Sequence, residues 1–236
     1  MSTIPDRAAA PTGDPEGGRP EAGEDRFDEQ DQLDELDRFD EPEQPAGLSG
    51  RTGGIIMAAL AGVAWVAALV LMLEKIQVLR DPNYEPSCSI NPVLSCGSIM
   101  NSAQAEAFGL PNPLIGIAGF AAVIALGVVL AAGVALPRWI WWGLQAGVTF
   151  GLGFICWLAF QSLYRIGALC PYCMVVWAMM IPLFWFVTSD NLVKGRIPVG
   201  AGVRRVIGAV GALPIVLGYV VIGLLILVRF WDFWIS

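Results

Sequence analysis

The sequence predicts an all-α integral membrane protein with five transmembrane helices, four of them forming a bundle and the fifth standing beside it. Three observations carry that expectation. Hydrophobic residues make up 56% of the 236 positions and charged residues 15%, where soluble domains carry roughly 25% charged residues. The apolar residues gather into five runs, each near the ~20 residues a helix needs to cross a hydrocarbon core. Charge is segregated: residues 1–50 hold 15 of the 21 acids and 4 of the 14 bases, a balance of −11, while residues 51–236 carry +4. The net charge of −7 therefore describes the tail and not the body.

In chain order, the tail comes first. "EDRFDEQDQLDELDRFDEPEQP" has too few aliphatic residues to offset the entropy of ordering, so residues 1–48 are expected to be disordered. Leu33, Leu36, Phe27 and Phe39 permit a short helix around 28–38. With no basic start and no apolar stretch before residue 53, the segment does not read as a signal peptide. It serves as a solvating tail or a cytoplasmic docking segment.

The five apolar runs span roughly 54–78, 113–136, 139–162, 170–188 and 206–230. Hydrocarbon satisfies no backbone polar group, so each must be a helix. Scattered Gly and Ala suit tight packing. The organisation expected is an acidic cytoplasmic tail over 1–50, a four-helix unit over 51–190 with a long loop at 79–112, a basic loop at 191–205, and a final helix over 206–236. Arg51, Arg138, Lys194, Arg196, Arg204 and Arg205 fall on one side; Lys75, Arg80, Arg165 and Arg229 fall on the other. The larger basic set belongs inside, which puts the N-terminus in the cytoplasm. Trp139, Trp141 and Trp142 are expected to anchor one interface, and Trp231 and Trp234 the other.

That orientation places Cys88, Cys96, Cys170 and Cys173 together on the extracytoplasmic face, where disulfides persist. Cys156 lies alone in mid-helix and reads as packing. The chain has no histidine, which removes imidazole bases and histidine metal ligands and leaves cysteine as the residue for chemistry. In "CSINPVLSC" the Asn91-Pro92 turn signal lets Cys88 reach Cys96; alone, this is equally a structural clip. The following "GSIMNSAQAEAFG" permits a short amphipathic helix ended by Gly109. In "CPYC", Pro171 suits the first position of the fourth helix and Cys170 its N-cap, where unpaired N–H groups favour a thiolate. The bland alternative is two small buried hydrophobes. Taken together, a loop dithiol facing soluble partners and a membrane-edge CxxC facing the lipid suit thiol–disulfide exchange. A quinone is then the natural two-electron acceptor.

These features resemble the vitamin K epoxide reductase family in its bacterial form, over most of residues 53–188. The resemblance rests on Cys-x7-Cys, a downstream serine, "PN" before the second helix, and CxxC opening the fourth. In the DsbB-type quinone oxidoreductases, by contrast, the CxxC pair comes first. The resemblance implies a bundle built around a quinone site in a bacterial inner membrane, with menaquinone or ubiquinone as acceptor. Cys88 would exchange with the partner, Cys96 would relay to Cys170, and Cys173 would reduce the quinone. Ser102 matches a family serine or threonine near the centre, and Asn112 in "FGLPNPLIG" an asparagine that bonds a quinone oxygen. Trp177 stands where the animal enzymes carry a tyrosine. Because the chain ends without a fused thioredoxin-like domain, a separate DsbA-like thioredoxin-fold protein is the expected partner, and no nucleic acid is. Three other readings remain open: a scaffold with structural disulfides, a thiol exporter, and reduction of a quinone or quinone epoxide for its own sake.

Overall fold

The first apolar run forms helix α1, Arg51–Arg80, in a computed structural model that describes residues 50–231 apart from Pro82 and Pro92. The acidic stretch, the short helix expected near 28–38, and Trp234 lie outside the described residues. After α1 come a long loop, the short helix α2 (Cys96–Met100) and a 3-10 turn (Ala103–Glu106). The single amphipathic helix expected over 97–109 is thus two short pieces broken at Asn101–Ser102; Gly109 ends them at a φ of +74°, a conformation glycine adopts freely.

Helices α3 (Asn112–Ala131), α4 (Arg138–Gln161) and α5 (Pro171–Val193) complete the bundle. A π-helical turn over Ser162–Ile166 extends α4 toward the CxxC. Helix α1 packs most extensively on α3, then on α5, and α5 packs on α4. Between helices in lipid, close backbone approach does the packing that the hydrophobic effect does in water. Ala61, Ala64, Ala67 and Ala68 are buried along α1, and its tightest approach is at Gly54, where a Cβ would sit 2.6 Å from the Gly127 carbonyl oxygen of α3. Helices α3 and α4 do not pack closely on each other, and the space between them is the cavity described below.

Among the described residues, four helices are long and apolar enough to cross a membrane. The fifth apolar run is a broken element: α6 (Ala201–Val210) and α7 (Leu213–Arg229) meet at a bend of 64°. Taken as one broken element they bring the candidate spans among the described residues to five, and the continuous helix expected over 206–230 is interrupted between Val210 and Leu213. The break sits at Gly211, at a φ of +50°, and Pro214 in the first turn of α7 starts the helix afresh. Trp185 Nε1 donates to the Gly211 carbonyl at 2.7 Å, holding the bend against α5.

Two sequence expectations are corrected by packing. Trp141 is no interface anchor: it is 2% exposed, whereas Trp139 is 73% exposed and Trp142 faces outward. One helical turn cannot point all three the same way, and Trp141 takes the inward position, its ring under the Arg196 guanidinium. Arg196 also pairs with buried Asp190 at 2.6 Å, and Lys194 pairs with the same carboxylate at 3.1 Å. Cys156 is not core packing, because it lies on the exposed outer side of α4.

Candidate redox centre

The centre is built from two chain segments that are far apart in sequence, and α1 holds the first of them. At its C-terminal end, the buried Glu74 carboxylate accepts from Tyr84 Oη at 3.0 Å, Ser87 Oγ at 2.6 Å and Ser87 N at 3.3 Å. The Tyr84 hydroxyl is pushed above its ordinary range, chiefly by that hydrogen bond. The next residue, Lys75, donates to the Met100 carbonyl at 2.8 Å and pairs with Glu106 at 3.2 Å. Adjacent residues thus pin the two halves of the loop. Within it, Asn91 Oδ1 accepts from the N–H groups of Val93 and Leu94 at 3.0 and 2.7 Å, the turn that the sequence signalled. Ser95 caps α2, and Cys96 opens it, bridged to Cys88 with 5.6 Å between Cα atoms.

The second segment enters through the π turn. Ser162 Oγ donates to the Ala168 carbonyl. Gly167, at a φ of +74°, reverses the chain, and Arg229 of α7 donates to the Leu163 carbonyl at 2.8 Å. Two backbone hydrogen bonds then join the segments: Leu169 N to Val93 O at 2.7 Å and Ser95 N to Leu169 O at 3.0 Å, a parallel bridge between Leu94 and Leu169. Cys96 and Cys170 follow directly, and their sulfurs lie 3.0 Å apart. The bridge explains how residues 74 positions apart in the chain reach that distance.

Cys170 is the N-cap of α5 and Pro171 its first residue, as the sequence indicated. The Cys170 thiol is held below its ordinary value, first by the neighbouring Cys173 thiol and then by the backbone N–H groups of Cys173 and Tyr172, with burial opposing. Cys88, Cys96 and Cys170 are all buried, with sulfurs within 4.8 Å of one another. Two of the three sulfurs are joined covalently, so the set offers one thiol facing one disulfide. That is an exchange geometry, not a soft-metal ligand set.

Below the sulfurs lies a cavity of 760 Å³, almost entirely apolar, lined by Cys96, Cys170 and Cys173 and by residues of α3, α4 and α5. Its size is that of a site for a drug-sized ligand. Ser102, Asn112 and Trp177 all line it. Ser102 Oγ donates to the Ile99 carbonyl at 2.6 Å. Asn112 is partly committed: Nδ2 donates to the Gln104 carbonyl at 2.7 Å and Oδ1 accepts from Ala107 N at 3.1 Å, leaving one amide hydrogen free. Trp177 is a buried wall residue. Cys88 does not reach the lining, so the four cysteines grade from the loop to the cavity.

Sequence reasoning missed Lys75 and Gln161, which both line the cavity. It treated Lys75 only as a charge setting orientation. A polar side chain at the end of an apolar run was the available signal for both.

No curated protein gives a significant match to the chain. The model of the vitamin K epoxide reductase family matches residues 55–188. That span contains both cysteine pairs, the whole of α3 and α4 and most of α1 and α5, and with it matched over more than half of its length the chain belongs to the vitamin K epoxide reductase family.

Proposed function

We propose that this protein reoxidises a DsbA-like thiol oxidase and passes the electrons to a membrane quinone, so driving disulfide formation in exported proteins. In general terms, membership of the family makes it a multi-pass membrane oxidoreductase of thiols and quinones. The observation that carries the finer reading is the 3.0 Å contact between Cys96 of a disulfide and Cys170, above an apolar cavity that Cys173 also lines.

A partner thiolate attacks the disulfide at Cys88, and Cys96 leaves as thiolate. The partner's second thiol then displaces Cys88, and the partner departs oxidised. With the membrane pair in its disulfide form, the Cys96 thiolate attacks Cys170 and releases Cys173. Cys88 attacks Cys96, restores the loop disulfide and frees Cys170. The membrane pair now holds two electrons, which is the pairing seen here. Cys173 passes them to the quinone and Cys170 closes the disulfide on Cys173. Per turnover, one dithiol loses two electrons and two protons, and one quinone gains them. Asn112, with its remaining amide hydrogen, and Ser102 stand near the acceptor, where a donor stabilises charge developing on a ring oxygen. Trp177 shapes the wall.

The bias of bases supports an N-terminus in the cytoplasm and active cysteines on the outer face of a bacterial inner membrane. The acceptor is menaquinone or ubiquinone. The test uses purified protein in detergent, a water-soluble thioredoxin-fold dithiol and either quinone type, with quinone absorbance followed. Loss of quinone that needs both the dithiol and Cys173 is expected; absence of loss with either quinone and several dithiols would favour a scaffold with a structural disulfide.

A further inference from the structure

Gln161 is the last residue of α4, immediately before the turn that delivers Cys170. It lines the cavity with Cys170, Cys173, Asn112 and Trp177. Four other polar side chains of the lining are engaged within the protein: Lys75 with Met100 and Glu106, Ser102 with Ile99, Asn112 with Gln104 and Ala107, and Ser162 with Ala168. Gln161 is different. Among the described residues, two buried side-chain atoms have no hydrogen-bond partner, Trp65 Nε1 and Gln161 Oε1. Trp65 does not line the cavity; Gln161 does.

An unpaired buried amide oxygen is costly, and natural proteins keep such groups rare. As placed, that oxygen is enclosed; rotation of the amide about its last torsion would turn it to a ligand in the cavity that Gln161 lines. On the reading of the cavity as a quinone site, we infer that Gln161 is a substrate-contacting residue whose amide hydrogen-bonds a ring oxygen of the acceptor. An amide suits this place because it carries both a donor and an acceptor that exchange positions by rotation about the last side-chain torsion. The quinone arrives with carbonyl oxygens that only accept. The quinol leaves with hydroxyls that donate. Gln161 can donate to the first through Nε2 and accept from the second through Oε1, which neither a carboxylate nor an aliphatic residue can do. With one amide hydrogen of Asn112 already spent on Gln104, Gln161 adds a second polar contact from α4, across the cavity lining from α3.

The test compares wild type with Gln161→Leu and with Gln161→Met, which keeps an unbranched side chain of similar length. Three readouts are taken: the Kd of a short-chain naphthoquinone or benzoquinone analogue by tryptophan fluorescence, kcat and KM for its reduction, and thermal stability without quinone. Reduction of the Cys88–Cys96 disulfide by a small dithiol serves as control. The expected result is a Kd and KM raised about 3- to 10-fold, the scale of one lost neutral hydrogen bond, with thermal stability unchanged or higher and the control unchanged. A merely structural glutamine would instead lower thermal stability and leave Kd alone. If wild type binds and reduces the analogue and both variants match it in Kd and KM, the inference is overturned while the quinone reading stands. If wild type neither binds nor reduces it, the quinone reading falls and takes the inference with it.

Discussion

Replacing Lys75 by methionine removes one buried ammonium and keeps most of the aliphatic stem. The ammonium makes two contacts of unequal worth. Its hydrogen bond to the Met100 carbonyl, 2.8 Å long, is buried, and a charge-assisted bond of that kind contributes about 1.5–3 kcal/mol. Its ion pair with Glu106 is 3.2 Å long, but the Glu106 side chain is 47% exposed, and exposed pairs contribute up to ~1 kcal/mol. The Met100 bond is the larger. Since Met100 closes the helix that Cys96 opens, losing it loosens the segment that presents Cys96 to Cys170. In Lys75→Met, local opening of residues 96–106 should become roughly 10- to 150-fold more frequent. Glu106→Gln should change it by at most about fivefold. Native-state amide hydrogen exchange reads both, and the rate of electron passage to quinone should fall with the first variant and hold with the second. Equal effects of the two variants, or unchanged exchange in Lys75→Met, would refute the division of labour drawn here.

Three further outcomes follow from the same geometry. Cys88 is 4% exposed in a loop tied down by Glu74, so Glu74→Ala should speed reduction of Cys88–Cys96 by a small dithiol at least about tenfold while lowering thermal stability; an unchanged rate would mean that the loop is not the barrier. Gly54→Ala places a Cβ 2.6 Å from a backbone oxygen, whereas Gly62→Ala meets nothing within 4 Å; the first should cost about 1–3 kcal/mol of stability in detergent and the second nothing, and equal melting curves would contradict the packing. The Cys170 thiol lies below its ordinary value of 9.0, with Cys173 the largest cause and burial opposing. Removing Cys173 leaves burial in place, so in a Cys156→Ala background the Cys170 thiolate, followed by ultraviolet absorbance, should form at higher pH in Cys173→Ala than with Cys173 present; a downward or absent shift would reverse the assigned cause.

The helices were legible because hydrocarbon demands long apolar runs, and the four cysteines because their spacing and the Cys-Pro start of α5 have local meanings. What was not legible depends on facing and on contacts between distant segments. Hydropathy runs on through Gly211, but its backbone conformation does not, so the fifth run reads as one helix and folds as two. Trp139, Trp141 and Trp142 are alike in sequence and differ in which one faces inward, the place Trp141 takes under the Arg196 guanidinium. Cys156 reads as core in a uniformly apolar helix until packing turns it outward. The junction itself was hidden: nothing local in "PVLSC" or "GALC" announces that Leu94 and Leu169 form a bridge. Asn112 lies at the cavity as expected, but its bonds to Gln104 and Ala107 come from a loop whose path periodicity does not encode, and the unpaired amide oxygen of Gln161 emerges only once every neighbour is placed.

The most direct test of the account is to isolate the junction between the two pairs. In a Cys88→Ala, Cys173→Ala, Cys156→Ala protein, only Cys96 and Cys170 remain, with sulfurs expected at the 3.0 Å found here and needing to close to about 2.05 Å to bond. Mild oxidation followed by peptide mass spectrometry should find them joined quantitatively within each chain. Two free thiols, or cross-links only between chains, would contradict electron transfer through Cys96 and Cys170.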